Sequence, residues 1–246
     1  MRPGLARTVW LRTFGMLRHY LRYEVRGLER LLRPGAALLV GYHGRPLALD
    51  LCMLTVTLHE HLGQLPVGVV HGAFGHPLLR QVLDDVGFVV GEGPELAAAV
   101  AGGRHVLVQP GGTREGCRSF LHRYRVDWGE RVGYLRLALE HQLPIIPVAA
   151  DGVDDLYLGL NNGYALGRRL GLPARLPLWL GIGATGPWPF SLPFPVKVTQ
   201  RVGQPILRHL GGRVEPEDRP ALLGLHREVM GAVQELLDSG RRERAT

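Results

Sequence analysis

The sequence predicts a single α/β domain: a central, mostly parallel or mixed β-sheet flanked by helices and entered through an N-terminal amphipathic helix. Three observations predict it. Strand-like apolar runs alternate with helix-period segments, the pattern of one sheet with helices packed on it. A chain of 246 residues and 27.1 kDa is the right size for one substantial domain. A composition of 46% hydrophobic and 21% charged residues is globular material, which excludes a disordered or fibrous protein. The 34 Gly and 18 Pro show no G-X-Y period, so collagen is excluded too. Two Cys cannot build a disulfide framework or a Cys-rich zinc module.

Taken in order, residues 5–22 have helical period, with Trp10, Phe14, Leu17 and Leu21 on one face and Arg7, Arg12, Arg18, His19 and Arg22 opposite. Arg interrupts every apolar run, so this is no signal peptide. A basic amphipathic helix with Trp and Phe on its apolar face suits a membrane interface; the same pattern fits a helix packed on its own domain. The expected organisation is a membrane-interface helix over 1–24, a domain over 25–240 and a polar tail over 241–246. Within the domain, strands are expected at Ala36–Tyr42, Pro66–His71, Val86–Val90, His105–Gln109, Ile145–Ala149 and Val196–Val202. Helices are expected at Leu47–His61, Pro77–Asp85, Glu95–Ala101, Glu130–His141 and Arg219–Ser239.

Residues 176–196 break the alternation. They carry no formal charge but hold Trp179, Trp188, Phe190 and Phe194 among five prolines, too many for a lipid-exposed spanning helix. Such a loop can wall an apolar ligand, dip into a lipid interface or cover the core. Trp10, Phe14, Leu17, Trp179 and Trp188 are therefore the expected membrane contacts. The net charge of +7 comes from 28 Arg and one Lys against 22 acids, and the first 33 residues hold eight Arg and two Glu. A basic surface attracts anions, acidic headgroups among them. No nucleic-acid-binding motif accompanies the charge, so nucleic acid is not an expected partner.

Two constellations carry chemistry. In VGYHGRPLALDLCML, His43 ends a buried-looking strand and Asp50 lies in the first turns of the next helix. A carboxylate can hold one imidazole nitrogen and leave the other as a general base. In HVLVQPGGTREG, a strand runs into Gly111-Gly112, followed by Thr113, Arg114 and Glu115. Glycines admit close backbone approach, and Arg offers planar donors to a carbonyl, carboxylate or phosphate. No Gly-Lys-Ser/Thr follows, so this is not a Walker loop, and no G-x-S-x-G marks a serine hydrolase. His59 and His61 sit two apart on a helix and point to different sides, so no metal site is expected. A third element, LPIIPVAADG, is a buried strand interrupted by Pro147.

In this order and at these separations, Tyr42-His43-Gly44, Gly87–Gly91, Pro110-Gly111-Gly112-Thr113-Arg114-Glu115 and Pro144-Ile145-Ile146-Pro147 resemble the four blocks of the glycerolipid and lysophospholipid acyltransferase superfamily. The likeness is to its transmembrane-protein-68 and diacylglycerol acyltransferase 2 branch, and it runs from about Tyr23 to Ile206. It implies a glycerol-3-phosphate-acyltransferase-like fold. It also implies transfer of a fatty acyl group from acyl-CoA or an acyl carrier protein to a glycerolipid hydroxyl, with no cofactor. His43 and Asp50 would be the general-base dyad, and Gly111, Gly112, Thr113, Arg114, Glu115 and Pro147 would bind substrate. The runner-up is a catalytically silent lipid-binding relative. Asp50 stands seven residues after His43, where the superfamily has five and the nearer branch about six. Gly111 stands where the superfamily block has Glu, which points to a less charged acceptor such as mono- or diacylglycerol. The implied place of work is the cytoplasmic face of an anionic membrane, held peripherally or monotopically.

Overall fold

The computed structural model describes residues 4–70, 77–91, 93–172 and 177–245. Its seven-stranded sheet comprises β1 (Glu24–Arg26), β2 (Leu38–Gly41), β3 (Val67–Val70), β4 (Phe88–Val90), β5 (Val106–Val108), β6 (Ile145–Asp151) and β10 (Thr199–Val202). The order is β1-β10-β6-β2-β5-β3-β4, parallel at every junction except the antiparallel pair of β10 and β6. A separate small sheet is built from β7 (Leu158–Gly159), β8 (Gly181–Gly183) and β9 (Gly186–Pro187). The helices are α1 (Leu5–Tyr20), α2 (Leu49–Leu62), α3 (Pro77–Val86), α4 (Pro94–Ala101), α5 (Gly112–Gly116), α6 (Gly133–Glu140), α7 (Tyr164–Arg169) and α8 (Arg219–Ala245).

A strand covered on both faces must be apolar at successive positions, and β2 shows why LLVG reads as it does. Leu38, Val40 and Tyr42 join one buried cluster, while Ala37 and Leu39 join the other. Thus α2 covers one face through Leu51, Leu54 and Leu58, and α8 covers the other through Leu225, Val229 and Val233. The two expectations at the chain ends need correction. The polar stretch 241–245 is not a loose tail but the end of α8, where Glu243 bonds Arg201 and Arg26, and Arg244 pairs with Asp155.

The face of α1 that carries its large aromatics turns inward. Trp10 Nε1 donates to Thr55 Oγ1 at 2.9 Å, the Trp10 ring stacks on Phe14 and Phe88, and Phe14 and Leu17 pack on the core. Asp85 of α3 accepts from the Arg7 amide at 3.1 Å, capping the start of α1. Trp10, Phe14 and Leu17 are therefore half-buried against α2, β4 and the core. The apolar side chains α1 turns outward are Leu5, Val9 and Met16.

Candidate active site

Parallel strands place ligands at their carboxyl ends. There, β2 runs into Tyr42-His43-Gly44 and its neighbour β5 runs into Pro110-Gly111-Gly112, so two adjacent strands deliver both sequence constellations to one place. Five residues then turn the chain from Gly44 to Ala48, closed by the Ala48 amide on the Gly44 carbonyl at 2.9 Å. Ala48 adopts a left-handed backbone at the head of α2. This turn absorbs the extra residues of the His43–Asp50 spacing and starts α2 at Leu49 rather than at Leu47.

His43 Nδ1 lies 3.0 Å from the Gly44 carbonyl oxygen. A carbonyl only accepts, so Nδ1 carries the proton and Nε2 keeps its lone pair. Burial lowers the pKa of His43 to about 4, against the opposing pull of the Gly44 bond, so the ring is neutral at physiological pH. The ring rests on the backbone of Gly116: a Cβ there would stand 2.6 Å from His43 Cε1.

Asp50 is fully buried at the start of α2, and neither carboxyl oxygen has a hydrogen-bond partner among the described residues. Burial pushes its pKa up to about 8, with the amides of Leu51 and Asp50 opposing, so it is protonated at neutral pH. Its Oδ1 lies 3.0 Å from where a Gly44 Cβ would sit, close beside the peptide that holds the imidazole. The orientation expected from an Asp50–His43 bond is supplied here by the Gly44 carbonyl.

Glu115 is equally buried but fully engaged. It accepts from the His43 amide at 3.0 Å and the Asp127 amide at 2.8 Å, and Arg118 stands 3.9 Å away. Its side chain occupies the space beside Gly111, where a Cβ would lie 2.2 Å from the Glu115 carboxyl carbon. This is a steric reason for glycine at 111. Around it, Tyr42, Arg45, Arg118 and Asp154 form a buried network. The Tyr42 hydroxyl donates to Asp154 and accepts from Arg118 and from the Tyr124 amide. Arg45 reaches both the carboxylate and the carbonyl of Asp154. Arg118 also donates to the His43 carbonyl at 3.0 Å. Two guanidinium groups thus face two carboxylates, which is what lets four charges stay out of water.

Of the other expected binding residues, Gly112, Thr113 and Arg114 lie on α5 at the exposed rim. Thr113 Oγ1 is 3.0 Å from the Tyr164 hydroxyl, and Arg114 bonds Asp127 at 2.7 Å. Arg114, Arg118, His122 and Arg125 line a cleft of about 330 Å³ on the Asp127 side of the loop. Pro147 departs from expectation. It sits within β6, opposite Val40 and against Gly203, with its carbonyl taken by the Gly203 amide at 2.8 Å. It shapes the sheet and does not line the site. Trp179 is likewise no surface contact: it is buried, with Nε1 donating to the Arg118 carbonyl at 3.1 Å. Trp188 is half-buried and packs edge-on against Trp179. Cys117 has its pKa raised to about 11 by burial, so it remains a thiol at neutral pH. Sequence reasoning missed Arg45, Arg118 and Asp154. The signal for Asp154 was its place just past the Pro-bearing strand, in AADGVDD.

No family model matches the chain. It is 28% identical over 223 residues, 89% of its length, to an uncharacterized protein of Mycobacterium tuberculosis, of which it covers 61%. It is 28% identical over 186 residues to the human DGAT1/2-independent enzyme synthesizing storage lipids, covering 75% of this chain and 53% of that one. The chain therefore spans about half to three fifths of the length of these relatives. Among solved structures it is similar to the 1-acyl-sn-glycerophosphate acyltransferase PlsC of Thermotoga maritima, with a TM-score of 0.52 at 16% identity. That match covers 93% of this chain and 78% of the other, and the fold is shared.

Proposed function

We propose that the protein is an acyltransferase that moves a fatty acyl group from acyl-CoA or an acyl carrier protein to a glycerolipid hydroxyl. The observation that carries this reading is the state of His43: a neutral imidazole, its Nδ1 proton committed to the Gly44 carbonyl and Nε2 without a partner among the described residues, at the carboxyl end of β2. Nε2 would take the proton of the acceptor hydroxyl as its oxygen attacks the thioester carbon. The thiolate leaves when the tetrahedral intermediate collapses, taking up the proton from the imidazolium. General base catalysis of this kind supplies ~10²–10⁴ in rate. Asp50 would act at the charged stage. A cation forming on His43 would favour the ionised carboxyl. Gly112, Thr113 and Arg114 would hold the acceptor or the developing oxyanion at the rim. With Gly111 in place of an acidic residue and Glu115 committed to backbone amides, the reading favours mono- or diacylglycerol over a phosphorylated acceptor.

The protein would work peripherally on the cytoplasmic face of an anionic membrane, where both an acceptor and a long acyl chain reside. No helix among the described residues is long and apolar enough to cross a bilayer. Purified protein incubated with radiolabelled acyl-CoA and a panel of lysophospholipid, monoacylglycerol and diacylglycerol acceptors tests the reading. Labelled product that disappears with His43→Ala supports it. Lipid binding without labelled product from any acceptor, with acyl-carrier donors also tried, favours the silent-relative reading instead.

A further inference from the structure

The small sheet has two unlike faces. On one, Gly159, Gly181 and Gly183 press against Trp179 and Tyr157; a Cβ at Gly181 would lie 2.3 Å from the Trp179 ring. Alternation then sends the intervening residues the other way. Leu158 stands opposite Ile182, Ile182 opposite Pro187, and the Leu160 amide bonds the Leu180 carbonyl at 2.8 Å. The outward face is therefore Leu158, Leu160, Leu180, Ile182 and Pro187, all exposed, with Phe190 92% exposed just past β9. Soluble surfaces scatter such residues singly; a contiguous set marks an interaction surface.

The surroundings are basic. Arg168 and Arg169 end α7, whose leading Gly163 is bonded to Leu178, and neither makes an ion pair among the described residues. Arg22 is exposed beside Pro195, and the Tyr20 hydroxyl bonds the Pro193 carbonyl at 2.8 Å, which ties the hairpin's return to the end of α1. From Pro177 to Val196 no residue is charged. An apolar face without charges, flanked by Arg168 and Arg169, which pair with no acid among the described residues, is complementary to the acyl and headgroup layers of an anionic bilayer.

We propose that the outward face of the β7-β8-β9 sheet is the membrane-docking surface, with Ile182 and Phe190 entering the interface and Arg168 and Arg169 meeting anionic headgroups. This deepens the peripheral-membrane part of the proposed function and moves the contact from the buried indoles to the opposite face of the same hairpin. The docking face is wired to the site behind it. A Cβ at Gly159 would meet Arg45, and Trp179 bonds the carbonyl of Arg118, whose side chain bonds the His43 carbonyl. A lipid surface held there lies against the frame that positions His43.

Flotation of the full chain with vesicles of equal phosphatidylglycerol and phosphatidylcholine tests this. Ile182→Asp/Phe190→Asp should lower the floated fraction about tenfold or more, the scale for losing two buried apolar side chains. Arg168→Ser/Arg169→Ser should lower it less, and only with the anionic lipid. Leu207→Asp, an exposed apolar position beside the bridge to the start of β6, should change nothing. All variants should keep the wild-type melting midpoint. Wild-type flotation of the double Asp variant overturns the proposal. So does size-exclusion evidence of a dimer that the same variant splits, since a second copy would then cover the face. The readout is binding, not turnover. Failure here leaves the acyl-transfer reading intact, and loss of transfer with flotation preserved fails that reading alone.

Discussion

Two buried carboxyl groups flank His43, and they are opposites. Glu115, on the loop after β5, accepts two backbone amides and faces Arg118. Asp50, at the head of α2, is just as buried and has no hydrogen-bond partner among the described residues. Burial raises the pKa of both and backbone amides oppose the rise in each, but only Glu115 has a cation, Arg118, to oppose it as well. A satisfied buried carboxylate fixes geometry: Glu115 ties the His43 backbone to the third block. An unsatisfied one costs stability and persists where something else gains from it. The contrast separates a group that builds the site from one held ready in it.

The sharpest break would come at His43 itself. His43→Ala should lower acyl transfer by ~10²–10⁴ with the melting midpoint nearly unchanged. With the folded pKa near 4, the wild-type rate should hold as pH falls from 8 to 5 and drop only as the ring protonates below that. A decline centred near 6.5 would show the ring solvated and its geometry different. Next in size is Glu115→Ala, which strips two amides of their acceptor and leaves Arg118 without this partner. It should cost about 3–5 kcal/mol in urea unfolding, the scale for breaking a buried pair; a loss under about 1 kcal/mol would erase the distinction between the two carboxyls.

Asp50→Asn should act in the opposite sense. The folded pKa of Asp50 is raised, so the contribution of its protonated form is full below the unfolded value near 4 and is lost as pH rises toward about 8. The variant should therefore gain on wild type across that window, by at most about 1.4 kcal/mol per pH unit. Parallel unfolding free energies from pH 5 to 8 would mean that Asp50 is hydrated or paired. The smallest effect belongs to Arg114→Ala. Its ion pair with Asp127 is half exposed, so stability should move by less than about 1 kcal/mol. A drop in transfer beyond that small change would assign Arg114 to substrate.

All six strands and five helices expected from the periodicity of the domain are present, with ends shifted by a few residues. His71, the expected end of β3, lies outside the described residues. Strands buried on both faces must be written in unbroken apolar residues, so β2, β5 and β6 were legible. The three-residue β1 and the glycine-rich β7, β8 and β9 were not, because too few side chains alternate to show a period of two. The site was legible as blocks and not as contacts. That His43 meets Glu115 and Gly116 follows from β2 and β5 being neighbours, which sequence order does not state. The inward turn of Trp10 and Trp179 was hidden for a different reason: an amphipathic pattern shows which face is apolar, not whether protein or lipid covers it.

The close approach of Glu115 to Gly111 has an evolutionary reading. Gly111 has φ near −65°, open to any L-residue, so its backbone demands no glycine. The nearest atoms a Cβ would meet there all belong to the Glu115 side chain. The two positions therefore cannot diverge independently. A chain that acquires a side chain at 111 must first surrender the long carboxylate at 115, and with it the brace on the His43 amide. In this chain the double glycine of the loop and the brace on the His43 amide stand together.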